Sequence, residues 1–177
     1  LEKDKKFKYI GMEIVFKTKY RYEDITAYRV LSKILTNTSK KYPSILKMSQ
    51  KKDELFDVDI GFSHSFFGKL SLLKCSCSYV HPSYVDDKDY ETKVLQLVHD
   101  CLFDANIHQN QFNEEMFQIA KDLVYNDILI QKDNASAHAI LELLQNVGSK
   151  RQAIAASIRG DKNVLKKLDC KQLVAYY

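Results

Sequence analysis

The side chains that most often carry chemistry are present in this chain, but they are scattered. Five histidines, His64, His81, His99, His108 and His138, occur with no two of them three or four positions apart. A helix-borne hydrolytic zinc site needs that spacing, as H-E-x-x-H or H-x-x-E-H, so that two imidazoles converge on the metal from one face. Neither string is present. Each histidine is therefore read as a surface or hydrogen-bonded side chain. His99-Asp100-Cys101 sets a thiol beside a base, the ingredients of a cysteine nucleophile. Neighbouring helix residues do not face one another, however, and Cys101 falls on an apolar stripe with Val98 and Leu102, where it reads as a core thiol. Cys75 and Cys77 follow the alternation Leu73, Cys75, Cys77, Tyr79, so both point to one side of a strand. With Cys170 the thiols number 4, without a C-x-x-C pair or a disulfide-framework spacing, which points to a reducing compartment. The 5 glycines form neither G-x-x-x-x-G-K nor G-x-G-x-x-G, so phosphate cradles of those kinds are excluded. Arg159-Gly160-Asp161 could be an adhesion tripeptide, but a glycine flanked by charges is the ordinary chemistry of a turn between helices.

The elements that must position these groups follow from hydrophobic periodicity. From Phe7 to Lys17, alternate apolar residues Ile10, Met12, Ile14 and Phe16 predict a half-buried strand. Glu23 to Leu35 carries Ala27, Val30, Leu31, Ile34 and Leu35 on one helical stripe, closed by the polar Asn37-Thr38-Ser39. Pro43 is placed in the first turn of a second helix that runs to Leu55. Val58, Ile60 and Phe62 alternate with polar residues and Leu73 to Tyr79 alternate again, predicting two antiparallel strands joined around Gly68. Tyr90 opens the clearest helix, with Val94, Leu97, Val98, Cys101 and Leu102 on its stripe. A connector over Asn106 to Asn110 leads past Phe112 to a helix opened by Asn113, Glu114 and Glu115, with Met116, Ile119, Ala120, Leu123 and Val124 inward, ending near Gln131. From Ala135 the pattern is helical, with breaks at Gly148 and Gly160. The order predicts an α+β fold: an antiparallel sheet covered on one face by helices, with a helix-rich C-terminal third.

Composition narrows the function. The 177 residues fit one domain, and 45% hydrophobic with 28% charged residues is the usage of a packed globular protein. The net charge of +4 arises from 27 basic and 23 acidic residues that are mixed along the chain, and runs such as Lys3 to Lys8 are short. A nucleic-acid surface needs basic residues clustered with aromatics for stacking, so no nucleic-acid partner is expected. No apolar stretch approaches a membrane span and no signal-peptide pattern opens the chain; a cytoplasmic, membrane-free protein is expected. The chain begins without Met, as an excised piece of a longer protein would.

Three stretches, taken in order, resemble the insulinase/pitrilysin family of zinc peptidases, and within it the non-catalytic YfmF-like bacterial group. They are Lys40-Lys41-Tyr42-Pro43-Ser44 leading to Asp53-Glu54-Leu55-Phe56, Phe112-Asn113-Glu114-Glu115-Met116-Phe117, and Gly160-Asp161 leading to Leu168 and Gln172-Leu173-Val174-Ala175-Tyr176-Tyr177. Active members carry H-x-x-E-H on the first helix, two histidines for zinc and a glutamate that activates water. The resemblance puts Arg29-Val30-Leu31-Ser32-Lys33 there, so Arg29 and Lys33 replace the histidines and Ser32 the general base. The third family ligand falls at or beside Asp127. A cation at a ligand position repels zinc, and serine is no carboxylate base. The resemblance thus implies a domain inactive by itself, with no catalytic residues, no metal and no cofactor, and with Arg29, Ser32, Lys33 and Asp127 on a vestigial active-site surface. It implies that residues 1–177 are the N-terminal domain of a longer chain. It further implies a homologous catalytic subunit with intact H-x-x-E-H as partner, the pair enclosing a chamber for a peptide or unfolded protein. Two other readings stay open: a substrate-contact domain of a single-chain peptidase whose zinc lies in another domain, and a stand-alone interaction module.

Overall fold

A computed structural model describes residues 7–149 and 151–177. Of the basic run from Lys3 to Lys8, the residues before Phe7 lie outside the described residues. The elements follow as β1 (Tyr9–Lys19), α1 (Asp24–Asn37), α2 (Ile45–Glu54), β2 (Asp59–Phe67), β3 (Leu70–Val80), a 3-10 turn (Pro82–Tyr84), α3 (Tyr90–Phe103), β4 (Ile107–His108), β5 (Gln111–Phe112), α4 (Glu114–Asp133), α5 (Ala135–Val147), α6 (Lys162–Lys167) and a closing 3-10 turn (Gln172–Tyr176). With 49% helix, 21% strand and an antiparallel sheet, this is the α+β fold that the periodicity predicts. The main sheet has the strand order β1-β3-β2. Gly68 turns the β2–β3 hairpin at a φ of +56°, a conformation that glycine adopts without steric cost. None of the described helices is long and apolar enough to cross a membrane.

The chain divides into two compact units. The first combines the described residues up to Ile14 with Leu35–Phe62 and Cys75–Asn106. Alternate residues Ile60 and Phe62 on β2 and Cys75, Cys77 and Tyr79 on β3 are buried, which gives the strands one covered face. Val94, Leu97, Val98 and Cys101 of α3 are buried too, so Cys101 is the core thiol expected. Burial pushes its thiol up to about 12 and removes the thiolate a nucleophile would need. Pro43 stands outside α2 rather than in its first turn. Ser44 is the N-cap, its hydroxyl accepting from the Lys47 N–H at 3.3 Å, and the helix starts after it because that hydroxyl fills one of the open helix-end donors. Lys52 Nζ donates to the carbonyls of Thr36 at 3.2 Å and Ile60 at 3.0 Å, while Thr36 Oγ1 accepts from the Phe62 N–H at 2.9 Å. These bonds tie the end of α1 and α2 to the start of β2.

The second unit combines Val15–Ile34, Ser63–Lys74 and Ile107–Tyr177. The inward face of α4 is Phe117, Ala120, Val124 and Ile128. Leu123 is 39% exposed, and Met116 and Ile119 are half-buried, contrary to the expected stripe. The helix is rotated so that Phe117, 2% exposed, goes inside, since an aromatic ring buries more apolar area than the side chains it displaces. The connector around Asn106 to Asn110 contains a small antiparallel hairpin, Ile107 opposite Phe112 and His108 opposite Gln111. Gln109 and Asn110 turn it at φ of 50° and 60°, the left-handed pair that two-residue hairpin loops require. Strands of two residues are too short to show an alternation. Arg159-Gly160-Asp161 is a turn: Gly160 has φ +96°, a Cβ there would meet Thr26 Oγ1 at 2.9 Å, and Asp161 caps α6 by accepting from Asn163 N and Val164 N.

Candidate functional site

Within the second unit, α1 buries Ala27, Val30, Leu31 and Ile34. Arg29 and Lys33 are one helical turn apart and stand together beside that stripe. On α4, Asp127 lies next to the buried Ile128 and three positions from the buried Val124. The Arg29 guanidinium reaches Asp127, with Nη2 to Oδ2 at 2.7 Å, and Lys33 Nζ lies 3.2 Å from the same oxygen. Arg159, from the turn before α6, adds a third cation by donating from Nη1 to the main-chain carbonyl of Asp127 at 3.3 Å. The side chains of Arg29, Lys33 and Asp127 are 19%, 32% and 24% exposed, so solvent screens these pairs only in part. Arg29 Nε is buried without a hydrogen-bond partner.

The structure thus brings together Arg29, Lys33 and Asp127, which the resemblance named as a group although Asp127 stands 98 positions from Arg29. Ser32 bonds within its own helix. It is 3% exposed, and its Oγ donates to the Tyr28 carbonyl at 2.7 Å, back-bonding to its own helix. The donor set does not suit a metal: two of the three converging groups are cations, and one carboxylate is too few ligands for zinc. Among the described residues, no three His, Cys, Asp or Glu side chains gather as a metal site.

Two residues near the cluster were not singled out by sequence. His64 on β2 is 3% exposed, with Nε2 3.2 Å from Ser71 Oγ, its ring stacked on Tyr28 at 5.2 Å and its Nδ1 buried without a partner. Burial, and secondarily the charge of Arg29, hold it down at about 4, so its imidazole is neutral. The alternation Ile60, Phe62, His64 already carried the signal that this histidine points inward. Arg159 was absorbed into the turn tripeptide, and nothing local to it signals a contact with α4.

Known structures share this arrangement of elements. A crystal structure of a conserved protein from Enterococcus faecalis superposes with a TM-score of 0.88 at 24% identity, covering 98% of this chain and 41% of that one. A crystal structure of a peptidase M16 inactive domain from Pseudomonas fluorescens superposes with a TM-score of 0.70 at 14% identity, again covering 98% of this chain and 38% of the other. At those identities the likeness is one of fold, and the chain spans about two fifths of each neighbour's length. No family model matches the sequence, and no curated protein does.

Proposed function

We propose that this chain is a non-catalytic, peptidase-like domain that shapes a peptide-binding chamber together with a homologous catalytic partner. The observation that carries the reading is the ion cluster of Arg29, Lys33 and Asp127. The resemblance puts the three zinc ligands of an active peptidase at these positions. Here two cations stand against one carboxylate, both held at the same oxygen, and together they carry excess positive charge where a metal would need donors. Such a site repels zinc, has Ser32 where the resemblance puts the general base, and ties α1 to α4 through charge-assisted hydrogen bonds. The fold shared with a solved inactive peptidase domain supports the same reading.

The test is to purify the intact parent protein from its native cells and identify co-purifying chains by mass spectrometry. A homologue with intact H-x-x-E-H in equal amount supports the reading. Recovery of the protein without such a chain removes the partner, and peptide cleavage by the isolated protein with added zinc would overturn the non-catalytic assignment.

A further inference from the structure

We infer that Arg29, Lys33 and Arg159 form an oxyanion-binding site for a peptide carboxylate, borne either by a chain terminus or by an acidic side chain. The inference rests on the proposed function only in naming a peptide as the carrier of that carboxylate.

Charge is the first ground. Three cationic groups are anchored on one residue, Asp127, two at a single carboxylate oxygen and one at its main-chain carbonyl. The cluster therefore holds three positive charges against one negative charge. Arg29 also lies near enough to His64 for its charge to oppose protonation there, after the larger effect of burial. An arrangement of this kind favours an incoming anion over a neutral or cationic group.

Hydrogen bonding is the second ground. A guanidinium presents Nε–H and one Nη–H along a common edge, and carboxylates take that edge with both oxygens. Asp127 takes only Nη2 of Arg29, and Nε is left buried with no acceptor. An unmade bond from a buried charged donor is costly, so the edge is half-used. A ligand carboxylate can complete it, with Asp127 yielding Arg29 and keeping Lys33. Asp127 is then a built-in competitor that occupies the edge until a peptide arrives. The exchange swaps one hydrogen-bond acceptor for another, and no covalent bond is made or broken.

The intact protein can be titrated with three acetylated oligo-alanine peptides: one with a free terminal carboxylate, the same peptide amidated, and the amidated peptide carrying one internal glutamate. Calorimetry gives the affinity and heteronuclear NMR follows the arginine Nε–H resonances. The free-carboxylate peptide, the glutamate peptide or both should bind and shift the Arg29 Nε–H, while the neutral peptide should not. Asp127→Asn, which removes the competitor, should tighten binding about tenfold, and Arg159→Gln should weaken it about tenfold, the effect of one charge-assisted hydrogen bond. Equal binding of all three peptides, binding of inorganic phosphate without either carboxylate peptide, or no binding at all overturns the inference. So does an Asp127→Asn protein that melts lower with no gain in affinity, because the cluster then only staples helices. If Asp127→Asn fails to fold, Arg159→Gln and Lys33→Gln decide by losing or keeping the affinity. The titration needs no partner chain. Its failure leaves the co-purification result standing, and failure to find a partner leaves the titration standing.

Discussion

Lys52 in the first unit and Arg29 in the second are both half-buried cations, yet they use their donors differently. Lys52 donates to two carbonyls, of Thr36 and Ile60, and thereby satisfies backbone at the junction of helix and strand. Arg29 meets a carboxylate shared with Lys33 and keeps a buried N–H unmatched. Asp100 makes a partial counter-example in the first unit: its Oδ2 has no hydrogen bond, although Lys41 Nζ lies 3.9 Å from it and Gln96 holds the other oxygen at 2.7 Å. The first unit gathers buried thiols and side chains that complete the backbone's own bonding. In the second, Arg29, Lys33 and Arg159 converge on the single residue Asp127. A polar group that closes the hydrogen bonding of the fold serves stability, whereas surplus charge and an open donor are what a ligand can use.

The sharpest way to break this contrast is Asp127→Ala. It strips the shared anion from Arg29 and Lys33, and chemical denaturation should show a loss of about 3 kcal/mol, the low end for breaking a buried pair because both cations retain some solvent. A loss below about 0.5 kcal/mol would mean that the pairs behave as surface ones and carry no strain worth relieving. His64 gives the next effect. Its folded value of about 4 lies below the ordinary 6.5, so the unfolded chain takes up the proton first as pH falls. The stability due to a neutral His64 is therefore complete above pH 6.5 and is lost on descending to about 4. Between about pH 7 and about pH 5 the loss should be about 2 kcal/mol. His64→Gln should abolish that component in a comparison of urea midpoints at the two pH values, and an unchanged pH dependence would remove His64 as its source. Lys52→Met keeps the stem but leaves two carbonyls without their donor. It should cost about 1.5 kcal/mol and leave carboxylate-peptide affinity unchanged; a change in affinity would erase the division of labour between the units. The smallest effect is expected for Leu143→Ser on α5, a helix with no buried residue, where Leu143 is 64% exposed. The melting transition should correspond to less than about 0.5 kcal/mol of change, and a larger loss would place Leu143 in a packed face.

Much of the fold was legible because its elements repeat their signal. The stripe Val94, Leu97, Val98, Cys101 of α3 and the alternation through Cys75, Cys77 and Tyr79 each state a buried face several times over, and one misleading residue cannot hide it. The orientation of α4 was less legible, since Phe117 and Leu123 lie on neighbouring faces and local pattern does not say which one the core accepts. The hairpin at Ile107 to Phe112 was illegible for a different reason: with two residues per strand it has no period. In the candidate site, the resemblance named Arg29, Lys33 and Asp127 as a group, while the helical period by itself explains only why Arg29 and Lys33 share a face.

Sequence by itself determined the α+β class, the identity of most core positions, the absence of a two-histidine motif, and the cations at Arg29 and Lys33. These are properties of residue type and of spacing over one or two turns, and the chain states them locally. Only the tertiary structure decided that Asp127, 98 positions from Arg29, pairs with it, that Arg159 closes on the same residue, that Ser32 turns back into its own helix, and that His64 is held neutral. Ion pairing, desolvation and an unfilled donor depend on which distant groups come within a few ångströms, and that is fixed only when the helices and strands pack.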